Sequence, residues 1–509
     1  MRLPAAMRYF LLLASLVLIV SASDECIPRD FGNDGTVCVC NSTYCDVTPE
    51  PSLPKEGSYL HYVSSKRGQR FNQTTGEFSN EPTSELNFNL NRSLTYQSIT
   101  GFGGAFSDSA GINIKNLSQA AQNNLMEAYF GVNGSRYNFG RIPIGGSDFS
   151  TRKYTYDDSP DDISLAQFAL ADEDLQYKIP LMQKALELNP DLKFLAAPWT
   201  APPWMKTNND YNGIGFLKKE YYQLYTDYLI KFMDAYKDYG LEMWSLSTGN
   251  EPFNGLIPII SINSMGWTPS SLSNWISNNL GPTLRASPYN ATKILTLDDQ
   301  QFELPWFIAK LFKDPKTKNY TDGVAFHWYW DNLIGSSVLD ATHDEFPDKF
   351  LIMTEACAGA YPTDVEKVML GSWTRGESYI LDIIENLSHW TTGWIEWNLA
   401  LNEKGGPSWT TNFVDSSIIV NAENDEFYKQ PTYYALAHFS KFIPRNSVRI
   451  DLPSSSDIKS VAFITPTNDT VIVLYNKNGT AQDLSIKDPN RGYINVKLPG
   501  SSIHTIIYK

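Results

Sequence analysis

Short apolar, β-branched or aromatic runs alternate through the middle of the chain with longer stretches whose apolar residues recur at helical spacing. That is the pattern of repeated strand–helix units around a parallel sheet. Eight runs can be placed, at residues 99–105, 137–144, 193–199, 241–248, 292–297, 324–330, 350–355 and 393–399. A closed (β/α)₈ barrel requires eight strands. Residues 219–239 form the clearest intervening helix. The flanks differ: residues 52–91 and 446–509 are rich in short strand-like runs and turns, and the two ends are expected to pair into a β-sandwich. Val471-Ile472-Val473-Leu474-Tyr475 followed by Asn476-Lys477-Asn478-Gly479 reads as a hairpin. With no internal repeat or low-complexity linker, the modules are expected to pack tightly.

A barrel of this class carries its chemistry at the C-terminal ends of its strands. Two glutamates fall there: Glu251, in Asn250-Glu251-Pro252 after the fourth run, and Glu355, at the end of the seventh. Two carboxyls converging on one centre are what cleavage of a glycosidic bond needs. Pro252 restricts the backbone where the strand leaves the sheet, and the Asn250 amide suits a sugar hydroxyl. Taken alone, the tripeptide is equally a strand-end turn, and its weight comes from the second glutamate.

Other chemistries lack their residues. There is no G-x-S-x-G elbow, and 6 histidines leave few candidates for a triad base. No H-E-x-x-H helix or His/carboxylate cluster is evident, so neither a metal nor another cofactor is expected. Gly101-Phe102-Gly103-Gly104 lacks the lysine and helix start of a phosphate loop and reads as a tight turn. A catalytically inactive carbohydrate-binding or carrier protein is the alternative from another class, disfavoured because both glutamates are present.

The 509-residue length allows a large catalytic domain and smaller ones. Residues 1–23, with Arg2 and Arg8 before an apolar run and then Ser21-Ala22-Ser23, have the layout of a secretory signal peptide, a signal anchor being the alternative. Four of the 5 cysteines crowd into Cys26, Cys38, Cys40 and Cys45, as expected of an oxidising compartment. Of three connectivities, pairing neighbours in order is expected, because it staples two short loops in a segment too small for its own core. Zinc is the rival reading, but no histidine lies nearby. Cys357 reads as a buried free thiol whose modification, so close to Glu355, would inactivate.

Sequons stand at Asn41, Asn72, Asn91, Asn116, Asn133, Asn290, Asn319, Asn386, Asn468 and Asn478. The C-terminal residues are not an ER-retention signal, which points to a lysosome-like organelle or secretion. A net charge of -15 argues against nucleic acid as partner and suits an acidic compartment, where protonation eases self-repulsion.

Several motifs in this order resemble the lysosomal acid β-glucosidases (glucosylceramidases) of glycoside hydrolase family 30. They include Cys38-Val39-Cys40, Gly101-Phe102-Gly103-Gly104-Ala105, Asp148-Phe149-Ser150, Pro198-Trp199-Thr200, Asn250-Glu251-Pro252, His327-Trp328-Tyr329, Glu355-Ala356-Cys357, Trp397-Asn398-Leu399 and Phe427-Tyr428-Lys429-Gln430-Pro431. The resemblance implies an α/β fold: a (β/α)₈ TIM barrel (98–398 with 431–446), an accessory β-sandwich (52–97 with 447–509) and a small disulfide-bearing β-sheet (24–51 with 399–430). It implies a retaining β-glucosidase with Glu251 as acid/base and Glu355 as nucleophile, Glu251 having the raised pKa and Glu355 staying anionic. Arg141 and Tyr329 would support Glu355, with His327 beside the nucleophile, and Asp148, Trp199, Asn250, Trp397 and Asn412 would bind the glucose.

The implied substrate is a glycolipid, glucosylceramide, met at an anionic membrane surface, with a saposin-like activator and a sorting receptor as further partners. Hydrolysis of other β-linked glucosides or oligosaccharides is the alternative. Thr248-Gly249 and the loop 253–267 depart from the mammalian pattern, which bears on the aglycone. Leu256-Ile257-Pro258-Ile259-Ile260 within that loop is a candidate bilayer contact, a buried loop being the alternative.

Overall fold

The computed structural model describes residues 25–258, 261–331 and 333–509, so the signal-peptide reading of residues 1–23 lies outside the described residues. Eight parallel strands close into a barrel: β1 (Gly101–Ala105), β2 (Phe139–Ile144), β3 (Lys193–Pro198), β4 (Met243–Ser247), β5 (Lys293–Gln300), β6 (Gly323–His327), β7 (Phe350–Glu355) and β8 (Thr391–Asn398). Each pairs with its sequence neighbour, and β8 closes on β1. Leu195, Leu295, Ala325, Ile352 and Ile395, from five of these strands, belong to one buried cluster that fills the barrel.

The outer layer follows from helical spacing. Tyr222–Lys237 buries Tyr225, Tyr228, Leu229, Phe232, Met233 and Tyr236, recurring at intervals of three or four, and leaves Lys231 and Asp234 on the other side. Burying each such side chain contributes roughly 1.5–3 kcal/mol.

Gly101-Phe102-Gly103-Gly104 is the interior of strand β1 rather than a tight turn. A Cβ on Gly103 would lie 1.9 Å from the Phe139 carbonyl oxygen, so the glycines serve close strand packing.

The sandwich has a seven-stranded sheet, ordered Asn72–Glu77, Ser58–Ser65, Ser502–Tyr508, Thr470–Asn476, Ile458–Ile464, Val448–Asp451 and Asn91–Ser98. Its partner is a sheet of Gly492–Leu498, Gln482–Asp488 and Asn87–Asn89. The Asn476-Lys477-Asn478-Gly479 turn is therefore not a hairpin. Thr470–Asn476 is flanked on both edges already, so the chain after the turn crosses to the other sheet. Asn476 holds the crossing by donating to the carbonyls of Thr480, Leu498 and Pro499 at 3.0, 3.1 and 2.8 Å.

A third sheet joins Pro28–Asp30 and Thr36–Asn41 to Glu426–Lys429, Ile418–Asn421 and Leu401–Asn402. Its disulfides are Cys26–Cys38 and Cys40–Cys45, which restrict the unfolded chain in a segment with little core. Asn386 is only 2% exposed, so that sequon is inaccessible in the folded protein. Among the described residues no helix is long and apolar enough to cross a membrane.

Candidate active site

The chain leaves β4 through backbone that most residues avoid. Gly249 has φ +151° and Glu251 φ +44°, in the left-handed region that costs a non-glycine residue on the order of 1–3 kcal/mol. Main-chain bonds hold it: Asn250 N–H donates to Pro198 O at 2.8 Å and Glu251 N–H to Asp298 O at 2.9 Å. Glu251 is thus aimed by its neighbours β3 and β5.

Strand β5 has a complementary irregularity. Leu297 and Asp298 have φ +71° and +53°, and the register against β6 shifts between Leu297 and Asp299. This bulge places the buried Asp298 carboxylate under the site, accepting from Arg141 Nη2 (3.0 Å), Ser247 Oγ (2.6 Å) and Thr354 Oγ1 (2.6 Å), with His327 Nε2 at 3.1 Å. Burial alone would raise its pKa, but Arg141 and His327 hold it well below the usual carboxylate range.

Arg141 spans the site, donating to Glu355, to Asn250 Oδ1 at 2.6 Å and to Asp298. Tyr329 OH donates to the other Glu355 oxygen at 2.7 Å. Glu251 accepts from Gln300 Nε2 at 2.7 Å and Asn254 Nδ2 at 2.6 Å, and His327 Nδ1 lies 3.0 Å from it. His327 therefore bonds Glu251 and Asp298 rather than Glu355. Burial lowers the imidazole pKa, but the charges and hydrogen bonds of Glu355, Asp298 and Glu251 outweigh it and take the pKa up to about 10. One carboxylate oxygen each of Glu251 and Glu355 and a ring nitrogen of His327 lie within 4.8 Å of one another. His327 is committed to two carboxylates, and no metal role follows from the trio.

Burial pushes the Glu355 carboxyl up from its ordinary value despite the opposing pull of His327 and Arg141. The two carboxyls differ in their surroundings: Glu355 faces a guanidinium and a phenol, while Glu251 faces the amides of Gln300 and Asn254.

A cavity of about 280 Å³ opens above the pair, lined among others by Asp148, Trp199, Asn250, Trp397 and Asn412. Trp199 and Trp397 stack at 5.2 Å, with the Arg141 guanidinium 5.0 and 5.5 Å from their rings. Asn412 Nδ2 donates to Asp148 Oδ2 at 2.9 Å. Burial, then the Glu355 charge, raises the Asp148 pKa to about 7. Cys357 also lines the cavity, a buried thiol 3.4 Å from Tyr329 OH and pushed far up by burial, so it is not a reactive thiolate.

Sequence reasoning missed Asp298, Gln300 and Asn254. Asp298-Asp299-Gln300 follows the fifth apolar run, and the strand-end rule applied there would have found it. Asn254 and Ile262 reach the cavity from the divergent loop, which lies against residues 207–217. The buried Lys206 ammonium ties these segments, donating to the carbonyls of Asp210 and Ser264 at 2.7 Å each and of Tyr211 at 3.3 Å.

Buried titrating groups set a stability optimum. Burial raises Glu396 to about 8, and with Asp148 and His327 its pKa lies above the unfolded value. Their stabilisation is complete below the unfolded values and lost as pH rises through about 7 to 10. The cluster of His61, His504 and His438, where the sandwich meets the helix Pro431–Ser440, has the opposite sign. Burial lowers His61 to about 4 and holds His438 and His504 well below the ordinary value, so that contribution is complete above 6.5 and lost on acidification. The melting temperature should therefore fall by several degrees from pH 6.5 to 8.5 and again below pH 5. Scanning calorimetry across that range checks it, and a Tm that rises from 6.5 to 8.5 would refute it.

An eight-stranded barrel with two glutamates converging at its C-terminal mouth, under a pair of tryptophans, defines a glycoside hydrolase. The chain belongs to glycosyl hydrolase family 30: the family's TIM-barrel domain matches residues 99–443 and its beta sandwich domain residues 446–506. It is 42% identical over 496 residues to the lysosomal acid glucosylceramidase of Mus musculus, covering 96% of each chain. Among solved structures, SrfJ from Salmonella typhimurium is similar with TM-score 0.83 and 27% identity, over 89% of this chain and 99% of that one. The endo-beta1,6-glucanase BT3312 is similar with TM-score 0.79 and 25% identity, over 88% of this chain and 99% of that one.

Proposed function

We propose that this glycosidase hydrolyses glucosylceramide to glucose and ceramide with retention of configuration. The observation that carries the retaining mechanism is the approach of the Glu251 and Glu355 oxygens to within 4.8 Å. Retaining enzymes separate their carboxyls by about 5–5.5 Å, while inverting ones leave roughly 6.5–9.5 Å for a water. Glu355 attacks the anomeric carbon as the bond to the aglycone oxygen breaks and Glu251 gives that oxygen its proton. Water then bonds the anomeric carbon, returns a proton to Glu251 and releases Glu355. Arg141 and Tyr329 orient Glu355, His327 orients Glu251, and Asp148, Asn250, Asn412 and the Trp199 and Trp397 faces take the sugar.

The glycolipid substrate rests on the glucosylceramidase relative and on the apolar character of the mouth. Trp330, which lines the cavity, is 47% exposed, and Leu333 and Val365 on the loops after β6 and β7 are 70% and 95% exposed. These side chains suit contact with an anionic membrane surface, with a saposin-like activator and a sorting receptor as further partners and the lysosome as the site of action. Leu256 and Ile257 are half-buried, while Ile259 and Ile260 of the candidate bilayer stretch lie outside the described residues.

The likeness to an endo-glucanase favours a second reading, hydrolysis of β-linked oligosaccharides. A cavity of about 280 Å³ suits one hexose better than a run of them. The enzyme should prefer glucosylceramide in detergent micelles over soluble aryl β-glucosides and β-1,6-glucan in kcat/KM. Preference for the glucan would replace the lipid reading with the second one.

A further inference from the structure

At the opposite end of the barrel from the catalytic mouth, a groove of about 490 Å³ is lined by Arg136, Lys193, Lys441 and Arg445. These cations lie where the chain enters β2 and β3 and where it leaves the helix Pro431–Ser440. In a chain of net charge -15 such a cluster needs an account.

The arrangement leaves positive charge unmatched. Arg136 pairs with Glu50. Lys193, Lys441 and Arg445 have no carboxylate oxygen within ion-pairing distance among the described residues. Arg445 gives its guanidinium to the main-chain carbonyls of Thr100, Asn138 and Asp191, and buried Lys441 gives its ammonium to Val132 O. Among the described residues the Lys193 ammonium makes no hydrogen bond, and the Trp244 ring lies 5.7 Å from its Nζ. Asp191 is the one acidic side chain lining the groove; Glu127 faces Lys441, and Lys293 adds repulsion to Lys193. With Arg136 matched by Glu50, and Asp191 and Glu127 offsetting two of the other three cations, about one positive charge remains over the groove. Half-buried charge without a counter-ion is unfavourable, and a dianion seated among these side chains would remove that penalty.

We propose that this groove is an anion-binding site for a tetrahedral dianion, sulfate or phosphate, free or as a small ester. Guanidinium and ammonium donors around one cavity match the oxygens of such a group. The site is separate from the active site, since it lies at the N-terminal ends of the strands.

Titration of the purified full-length enzyme with sodium sulfate at constant ionic strength, followed by calorimetry and thermal shift at pH 5 and pH 7, tests this. Saturable binding and a rising Tm are expected with sulfate at both pH values, and they should persist with a glucose-mimicking inhibitor in the active site. Phosphate should bind more tightly at pH 7 than at pH 5, because its second ionisation falls near pH 6. Lys193→Gln should weaken sulfate binding about tenfold, or about 1.4 kcal/mol, and Lys193→Arg should retain it. Without sulfate, Lys193→Gln should melt no lower than the parent, because it removes an unmatched charge that makes no hydrogen bond among the described residues, and it should keep its kcat/KM on a soluble β-glucoside, because Lys193 sits far from the glutamates.

Glycerol phosphate competing with sulfate would identify a small ester as the ligand, and failure to compete would identify the free oxyanion. No saturable binding beyond that of chloride, or equal affinity in Lys193→Gln, would overturn the proposal.

Discussion

Glu355→Gln should lower kcat on a β-glucoside by roughly four or more orders of magnitude while leaving the fold intact. An amide cannot form the covalent glycosyl-enzyme. Asp298, which shares Arg141 with Glu355, has its oxygens taken up by Arg141, Ser247, Thr354 and His327. The fold should survive because Arg141, which loses the Glu355 charge, keeps its ion pair with Asp298 at 3.0 Å. Stopped assays with 2,4-dinitrophenyl β-glucoside, alongside a melting curve, would measure both effects. Near-normal turnover in a folded variant would remove Glu355 from the nucleophile's role.

Glu251→Gln should separate the two halves of the reaction. With a leaving group that needs no proton, the first step should be nearly normal and release of the sugar should become rate-limiting. With an alkyl glucoside or the lipid, kcat/KM should fall by about 10²–10⁴, the range general acid catalysis supplies. Azide, which attacks without a general base, should restore turnover of the activated substrate and give β-glucosyl azide. An α product would mean inversion, and absence of rescue would move the acid/base role elsewhere. The same variant tests the surroundings, because Gln300 and Asn254 now face an amide. A loss confined to protonation would show that they orient the acid rather than build the pocket.

The barrel was legible because its strands are short apolar runs separated by helices long enough to cross over, and that pattern needs no knowledge of distant contacts. All eight runs coincide with barrel strands. The strand-end rule led to Glu251 and Glu355 for the same reason. The hairpin reading after Tyr475 erred because turn chemistry is local, whereas pairing depends on which strand edges are already occupied. The strand-end rule reaches Asp298 but not its orientation, because a bulge cannot be seen in a run such as Ile294-Leu295-Thr296-Leu297: left-handed φ at Leu297 and Asp298 is imposed by the neighbouring strands, not by either residue's preference.

The sequence alone determined the class of fold, the family and the strand-end position of the two glutamates, since these follow from periodicity, motif order and position along the chain. Only the tertiary structure decided how the site is charged and aimed. The Glu251–Glu355 approach, the Arg141–Asp298 pair beneath them and the turn of His327 toward Glu251 join residues up to 214 positions apart. Their distances and burial set the electrostatics, and neither distance nor burial is a property of any residue until the barrel closes.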